Sequence, residues 1–249
     1  MKKILLLLIL IQFPFYTANS QCLAGKEYVF TFLEQYNDGF EPIDADLIIS
    51  ISSEEYTRVN ISIPTLSIQQ EVEVFAGTVY NYKIDYLDYF QGYDQEIVDQ
   101  HPIYVNSEKD ITLYTMNLQN YSSDASIVLP VDKLGTNYTV NLYHDSNQHP
   151  EILAELKIIA AYDNTSININ PTQNSVGGTL QSGFNKSFSL NKGESITFQF
   201  KDDITSTKIS SSNPVQVFNA YDCINIPSTE GYCDHIYHVV YPDNYLSDN

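Results

Sequence analysis

Apolar and polar residues alternate with a period of two along most of this chain. The pattern runs through EYVFTF (27–32), DLIISI (46–51), RVNISI (58–63), EVEVF (71–75), VYNYKI (79–84), PIYV (102–105), ITLYTM (111–116), SININ (166–170), KSFSL (186–190), SITFQF (195–200) and PVQVF (214–218). A strand sends successive side chains to opposite faces, so each segment is expected to be a half-buried β-strand. Val, Ile, Tyr, Phe and Thr dominate these segments, the residues that fit a pleated surface. Turn chemistry separates them at Asn37-Asp38-Gly39, Ala76-Gly77, Gly177-Gly178 and Lys192-Gly193. Helix is an option only over 85–98 and 149–159. The first is rich in aromatic residues and the second leads into the strand-like ELKIIAA. The class is all-β, with an antiparallel, sandwich-like arrangement favoured and a propeller-like one as the alternative.

Parts of the pattern occur twice. EVEVFAGTVYNYKI aligns with KSFSLNKGESITFQF, matching Gly77 to Gly193. YVNSEKDITLY aligns with KISSSNPVQVF, matching Ser107 to Ser211 and Tyr114 to Phe218. LIISISSEEYTRVNISIP parallels LKIIAAYDNTSININP, the two ending at Pro64 and Pro171. The expected organisation is two tandem related β units, 46–118 and 155–220, joined by a connector over 119–154.

The first twenty residues break from this pattern. Lys2 and Lys3 precede an apolar run from Ile4 to Phe15, and Ala18 and Ser20 stand where a signal peptidase needs small residues. Residues 1–20 are read as a signal peptide and 21–249 as the mature β domain, secreted to the extracellular space. The apolar run is too short to span a bilayer, which takes about 20 residues. A lipoprotein reading with Cys22 acylated is disfavoured by the bulky Gln21 before it.

Charge narrows the partners. Asp and Glu number 31 against 12 Lys and Arg, for a net charge of −19. Phosphate neutralisation needs basic side chains, so no nucleic-acid partner is expected. Anionic lipid surfaces are disfavoured for the same reason.

An extracellular location lets cysteines pair. Cys223 and Cys233 flank INIPSTEGY, with Pro227 and Gly231 to turn it. A disulfide there would restrict the unfolded chain by roughly 2–3 kcal/mol. The alternative is a metal site using these cysteines with His235 and His238, although structural zinc usually shows two well-separated ligand pairs. Cys22 is then left over, as a free thiol, an intermolecular link or the partner of a cysteine elsewhere. Sequons at Asn60, Asn120, Asn137, Asn164 and Asn185 mark where a eukaryotic host could add glycans.

The candidate chemistry is thin. There is no Gly-x-Ser-x-Gly elbow, no His-Glu-x-x-His pair, no glycine-rich phosphate loop and no Asp-x-Asp-x-Asp-Gly calcium loop. A carboxylate pair of a glycoside hydrolase would be one use for so many acids, but carboxylates this abundant fall near one another by chance. Asp234-His235 beside Cys233 is the one tempting constellation, set against the simpler reading of a loop pinned by a disulfide. No enzyme activity, metal or cofactor is expected. Tyr86, Tyr89 and Tyr93 crowd into DYLDYFQGYD and are candidate ligand contacts, either as stacking platforms for a sugar or as ordinary aromatic packing.

The most specific stretch is TKISSSNPVQVFNAYDCINIPSTEGYCDHI, with a Ser-x-x-Pro-Val-x-Val-Phe strand, a Cys, an Ile-Pro and a Cys-Asp-His triplet. With GKEYVFTF, SSDASIVLPVDKLGTNY, AAYDNTSININP and NKGESITFQF, it resembles the amino-terminal domain of the IgG Fc-binding protein family, from Gly25 to about Pro242. The resemblance implies that Cys223 pairs with Cys233. It also implies a secreted module, as in mucus or matrix proteins, that holds an extracellular protein or glycoprotein, with a carbohydrate-binding module as the alternative. Thr205-Ser206-Thr207 and His238 to Tyr241 depart from the family's pattern. The chain stops at Asn249, where the family's domain continues, so the module is expected to be C-terminally incomplete. No residue pattern for Fc binding carries over.

Overall fold

The computed structural model describes residues 23–35, 45–91, 94–119, 122–144 and 152–246. The strands of the first half are β1 (Gly25–Phe30), β2 (Ala45–Ser52), β3 (Thr57–Ile63), β4 (Ile68–Val74), β5 (Val79–Asp85), β6 (Val98–Asp99), β7 (Ile103–Gln119) and β8 (Ser122–Val128). Those of the second are β9 (Gly135–Thr139), β10 (Ala154–Ala160), β11 (Thr165–Asn170), β12 (Lys186–Leu190), β13 (Ser195–Phe200), β14 (Lys208–Ile224) and β15 (Asp234–Val239). Two single turns of α-helix, α1 (Tyr86–Tyr89) and α2 (Asp243–Leu246), and two 3-10 turns, Pro64–Leu66 and Val131–Lys133, complete it. The all-β class holds. Every strand pair is antiparallel, and the strands form two sheets rather than radial blades.

The two sheets share one topology. The first runs β4-β3-β7-β2-β5 with β1 and β8 also on β7; the second runs β12-β11-β14-β10-β13 with β9 and β15 also on β14. Short β6, though from the first half, adds itself to the far edge of β13. Each sheet is organised by one 17-residue strand that changes partners half-way. Early β7 pairs with β1 and β3, and late β7 with β2 and β8. Early β14 pairs with β9 and β11, and late β14 with β10 and β15. At each changeover a serine hydroxyl turns back on the chain, Ser107 donating to the Lys109 carbonyl (2.6 Å) and Ser211 to that of Asn213 (2.7 Å).

The strand entering each half starts on a glycine for want of space. A Cβ on Gly25 would lie 2.4 Å from the Pro130 Cβ, and one on Gly135 would lie 2.5 Å from the Pro242 Cβ. Each proline opens a helical turn just after the last strand of its own half, 131–133 and α2.

Local pattern and outcome part in four places. PIYV and ITLYTM fuse into β7, because the polar stretch between them is the changeover. The segment read as a connector, 119–154, carries β8 and β9. Of the two stretches open to helix, the described part of 85–98 is helical over the single turn α1, capped by the Asp85 carboxylate accepting from the Asp88 N–H (3.0 Å), and ends on the first residue of β6. Of the described part of 149–159, residues 154–159 belong to β10, whose seven residues are all buried.

Total burial of β10 follows from its position between the halves. Leu156, Ile158 and Ala160 face the core of the second sheet, with Val217, Phe198 and Ile196. On its other face, Ile159 packs with Val29 and Val131 of the first half. Phe218, Ala220, Tyr237 and Val239, from β14 and β15, complete the core of the first half beside Tyr28, Leu47 and Leu113. One half's outer sheet face thus closes the other half's core. No helix among the described residues is long and apolar enough to cross a membrane.

Candidate functional site

The seam between the halves holds a row of buried and half-buried polar groups. Strand β8 meets β15 edge to edge, but side chains make the bonds. Ser122 Oγ accepts the His235 N–H (3.0 Å), Asp124 Oδ2 that of Tyr237 (2.8 Å) and Ser126 Oγ that of Val239 (2.8 Å). In return the Ser123 N–H donates to Asp234 Oδ1 (3.1 Å). Behind this row Tyr237 stacks on Phe218 at 5.2 Å, and its hydroxyl meets Thr115 Oγ1 at 3.0 Å.

His235 sits in the same seam, almost wholly buried, which lowers its pKa. The Asn117 Nδ2 donates both to the Leu33 carbonyl (2.9 Å) and to His235 Nε2 (3.1 Å). Nε2 is therefore the acceptor, and the neutral ring carries its proton on Nδ1, which donates to the Tyr221 carbonyl (2.9 Å). Asp234 is occupied with backbone N–H groups. The Asp234-His235 pair thus pins strands together and presents no base to a cleft.

A second cluster lies deeper. Lys157 is wholly buried on β10; its Nζ donates to the Phe32 carbonyl (3.3 Å) and lies 3.8 Å from Asp99 Oδ2. Asp99 also bonds His101 Nδ1. Two positions from Lys157, Glu155 accepts from Gln199 Nε2 (2.7 Å), and its second oxygen is buried without a hydrogen-bond partner. Burial pushes the Glu155 carboxyl up to about 8 and the Lys157 ammonium down to about 8. Burial also raises Glu34. The bond to Asp99 raises His101, and Asp99 itself is lowered because His101 and Lys157 outweigh the cost of its burial. At neutral pH the arrangement is a protonated Glu155 beside a Lys157–Asp99 ion pair, with His101 bonded to the same carboxylate. Two charged residues in the otherwise apolar ELKIIAA were the signal for it.

Tyr86 and Tyr89 belong to this interior, which corrects their reading as ligand contacts. The Tyr86 hydroxyl accepts the Gln35 N–H (2.9 Å), and that of Tyr89 donates to the His101 carbonyl (2.6 Å) and meets Thr31 Oγ1 (2.8 Å). Both rings pack with Phe90, and Tyr89 also with Phe32. They tie α1 to the segment after β1 and offer no ring face to solvent. Tyr93, Asn120 and Cys22 lie outside the described residues.

The exposed candidates are elsewhere. Cys223 and Cys233 form a disulfide, with Cα atoms 5.1 Å apart, so neither sulfur is available to a metal. The loop between them is bonded within itself: the Asn225 Nδ2 donates to the Glu230 carbonyl (2.7 Å) and the Glu230 N–H to that of Pro227 (3.0 Å). It holds Tyr232 93% exposed and Ile226 50% exposed. Asn60, Asn137, Asn164 and Asn185 are all exposed.

Comparison with known proteins adds one finding. A family model described as IgGFc binding protein matches residues 124–249, from the middle of β8 onward, including the disulfide loop and the β15 side of the seam. No curated protein and no solved structure matches the chain.

Proposed function

The chain belongs to the IgGFc binding protein family, and on that footing we propose that it is a secreted, non-catalytic module that holds an extracellular protein or glycoprotein. The observation that carries this reading is the Cys223–Cys233 loop. Tyr232 is the most exposed large hydrophobic side chain among the described residues, and a disulfide and internal hydrogen bonds hold it and Ile226 in solvent. A pre-ordered loop loses less entropy on binding, and tyrosine is a favoured anchor at interfaces. Glu230 and Asp234 stand exposed at and beside the loop on a chain of net charge −19. The partner's contact surface is therefore neutral or basic, and association weakens as salt rises. The exposed sequons at Asn60, Asn137, Asn164 and Asn185 carry N-glycans when the host is eukaryotic.

The test is a pull-down from the extracellular fluid of the source organism, with wild type beside an Ile226→Ser/Tyr232→Ser variant. The expected result is capture of a defined set of proteins by wild type, lost in the variant and reduced at high salt. Equal capture by both proteins would remove the loop from the reading. Turnover of a glycoside or ester that disappears in Asp234→Ala would overturn the non-catalytic assignment itself.

A further inference from the structure

The two sheets share a topology but not the state of one edge. In the second sheet the outer edge of β13 is covered. Strand β6 pairs with it, Asp99 opposite Ser195 and Val98 opposite Ile196. Further along, the Glu96 N–H donates to the Thr197 carbonyl and the Val176 N–H to that of Gln199, both at 2.8 Å. The Glu96 carboxylate clasps these two covering segments together, accepting the Gly177 N–H (2.8 Å) and the Thr179 N–H (3.0 Å).

The equivalent strand of the first sheet is β5. It follows Gly77 as β13 follows Gly193, and it pairs with β2 as β13 pairs with β10, so Tyr80 and Tyr82 correspond to Ile196 and Phe198. No described residue pairs with the outer edge of β5. Ile196 and Phe198 are buried, whereas Tyr80 and Tyr82 pack against their core only in part. On the opposite face of β5, Val79 is 63% exposed.

An uncovered edge is a template for another strand. This one is seven residues long, without proline, and its register with β2 is unbroken. Lys83, a charge of the kind that guards an edge, is taken up by Asp46. A chain of net charge −19 can meet a copy of itself only where acids are scarce, and FAGTVYNYKI (75–84) contains no Asp or Glu. At the other end of the same sheet, β4 carries Glu71 and Glu73.

We propose that β5 is a self-association edge, at which two copies of this chain pair antiparallel about a twofold axis and join their first sheets into one. A register centred on Tyr82 sets Tyr80 against Ile84, Asn81 against Lys83 and Val79 against Asp85 of the second copy, with no like charges opposed. A register centred on Lys83 would oppose two ammonium groups. The half-buried tyrosines at the rim of each core are then covered across the join. A single self-complementary patch closes such a dimer, the commonest form of association. The proposal is independent of the disulfide loop, which belongs to the other sheet.

The experiment is sedimentation velocity of the purified chain over a range of concentrations, for wild type, Val79→Glu, Val79→Lys, Val176→Glu and Val176→Lys. Both valines are exposed, and circular dichroism melting of each variant confirms that it is folded. Wild type is expected to dimerise reversibly. Val79→Glu sets a carboxylate against Asp85 of the second copy twice per dimer and weakens association roughly tenfold, while Val79→Lys sets an ammonium there and strengthens it. The Val176 pair makes the same changes in net charge away from the edge and leaves the dimer unaltered. A wild type that stays monomeric at every concentration overturns the proposal. So does a dimer that ignores the Val79 substitutions or responds to both positions alike.

Discussion

Tyr28 and Tyr138 occupy the same place in the two halves. Each hydroxyl accepts the N–H of the glycine three residues before it, Gly25 and Gly135, at 3.1 and 2.9 Å. Each donates to a carbonyl at the changeover of the long strand, Ile111 in β7 and Val215 in β14. The changeover leaves backbone groups that the ladder does not pair, and a buried tyrosine reaches them. The correspondence extends through Ser107 and Ser211, Gly77 and Gly193, and Pro130 and Pro242. We propose that the halves are copies of one ancestral unit.

If both tyrosines do the same work, removing either hydroxyl should cost the same. Tyr28→Phe and Tyr138→Phe are each expected to lose about 1–2 kcal/mol, because a buried carbonyl and a buried N–H lose their partner. The two lie in different core clusters, so the double variant should lose close to the sum. Urea unfolding of the three variants checks this, and strong non-additivity would show that the changeovers are coupled.

The disulfide closes a loop over a sequence separation of 10. Cys223→Ser/Cys233→Ser should therefore lose about 2–3 kcal/mol by urea unfolding. The same variant should lose partner capture even where it remains folded, since Tyr232 and Ile226 are no longer held. Unfolding curves and pull-downs on one preparation separate the two effects.

Glu155 makes stability depend on pH with a definite sign. Its carboxyl is raised by burial from 4.5 to about 8, so between those values the folded chain keeps a proton that the unfolded chain has lost. That contribution is fully present below 4.5 and disappears as pH rises through 8. Lys157 acts with the opposite sign between about 8 and 10.5, where the unfolded chain is the one holding the proton. Glutamine imitates the protonated carboxyl. Glu155→Gln should therefore match wild type near pH 4.5 and exceed it by on the order of 4 kcal/mol near pH 8. Urea midpoints at three pH values test this; an offset constant with pH would mean that Glu155 does not titrate in that range.

Asp124 is the middle acceptor of the β8–β15 seam. Asp124→Ala leaves the Tyr237 N–H buried and unpaired, at a cost of about 1–3 kcal/mol. Amide exchange at Tyr237 should accelerate more than at Ala154 or Leu156 in the sheet interior. Uniform acceleration would show that the seam opens only when everything does.

What could be read from sequence follows the division between packing and bonding. Strands that bury an apolar face, such as β2, β5 and β13, declare themselves by alternation, since each second residue faces the core. Strand β8 reads SSDASIV and was hidden, because Ser122, Asp124 and Ser126 are there to accept backbone N–H groups and not to fill space. The same blindness affected the tyrosines. DYLDYF looks like a surface cluster, but the polar end of each ring is satisfied by backbone distant in sequence, at Gln35 and His101, which no local pattern encodes. The disulfide was legible as one of two readings of the spacing and turn residues, and the family resemblance implied the pairing that the structure has.

A β-strand edge that bonds through its backbone is indiscriminate: any extended segment of any protein can take the vacant place. The edge of β15 is sealed by Ser122, Asp124 and Ser126, so its pairing is written in side chains. Exchange of halves between related genes would succeed only if those three acceptors travelled with the first half. For the same reason, a neighbouring molecule crowded against this one cannot substitute an arbitrary strand. The seam works as an identity check, and a shuffled or swapped partner without that triplet would leave the Tyr237 and Val239 amides without their acceptors.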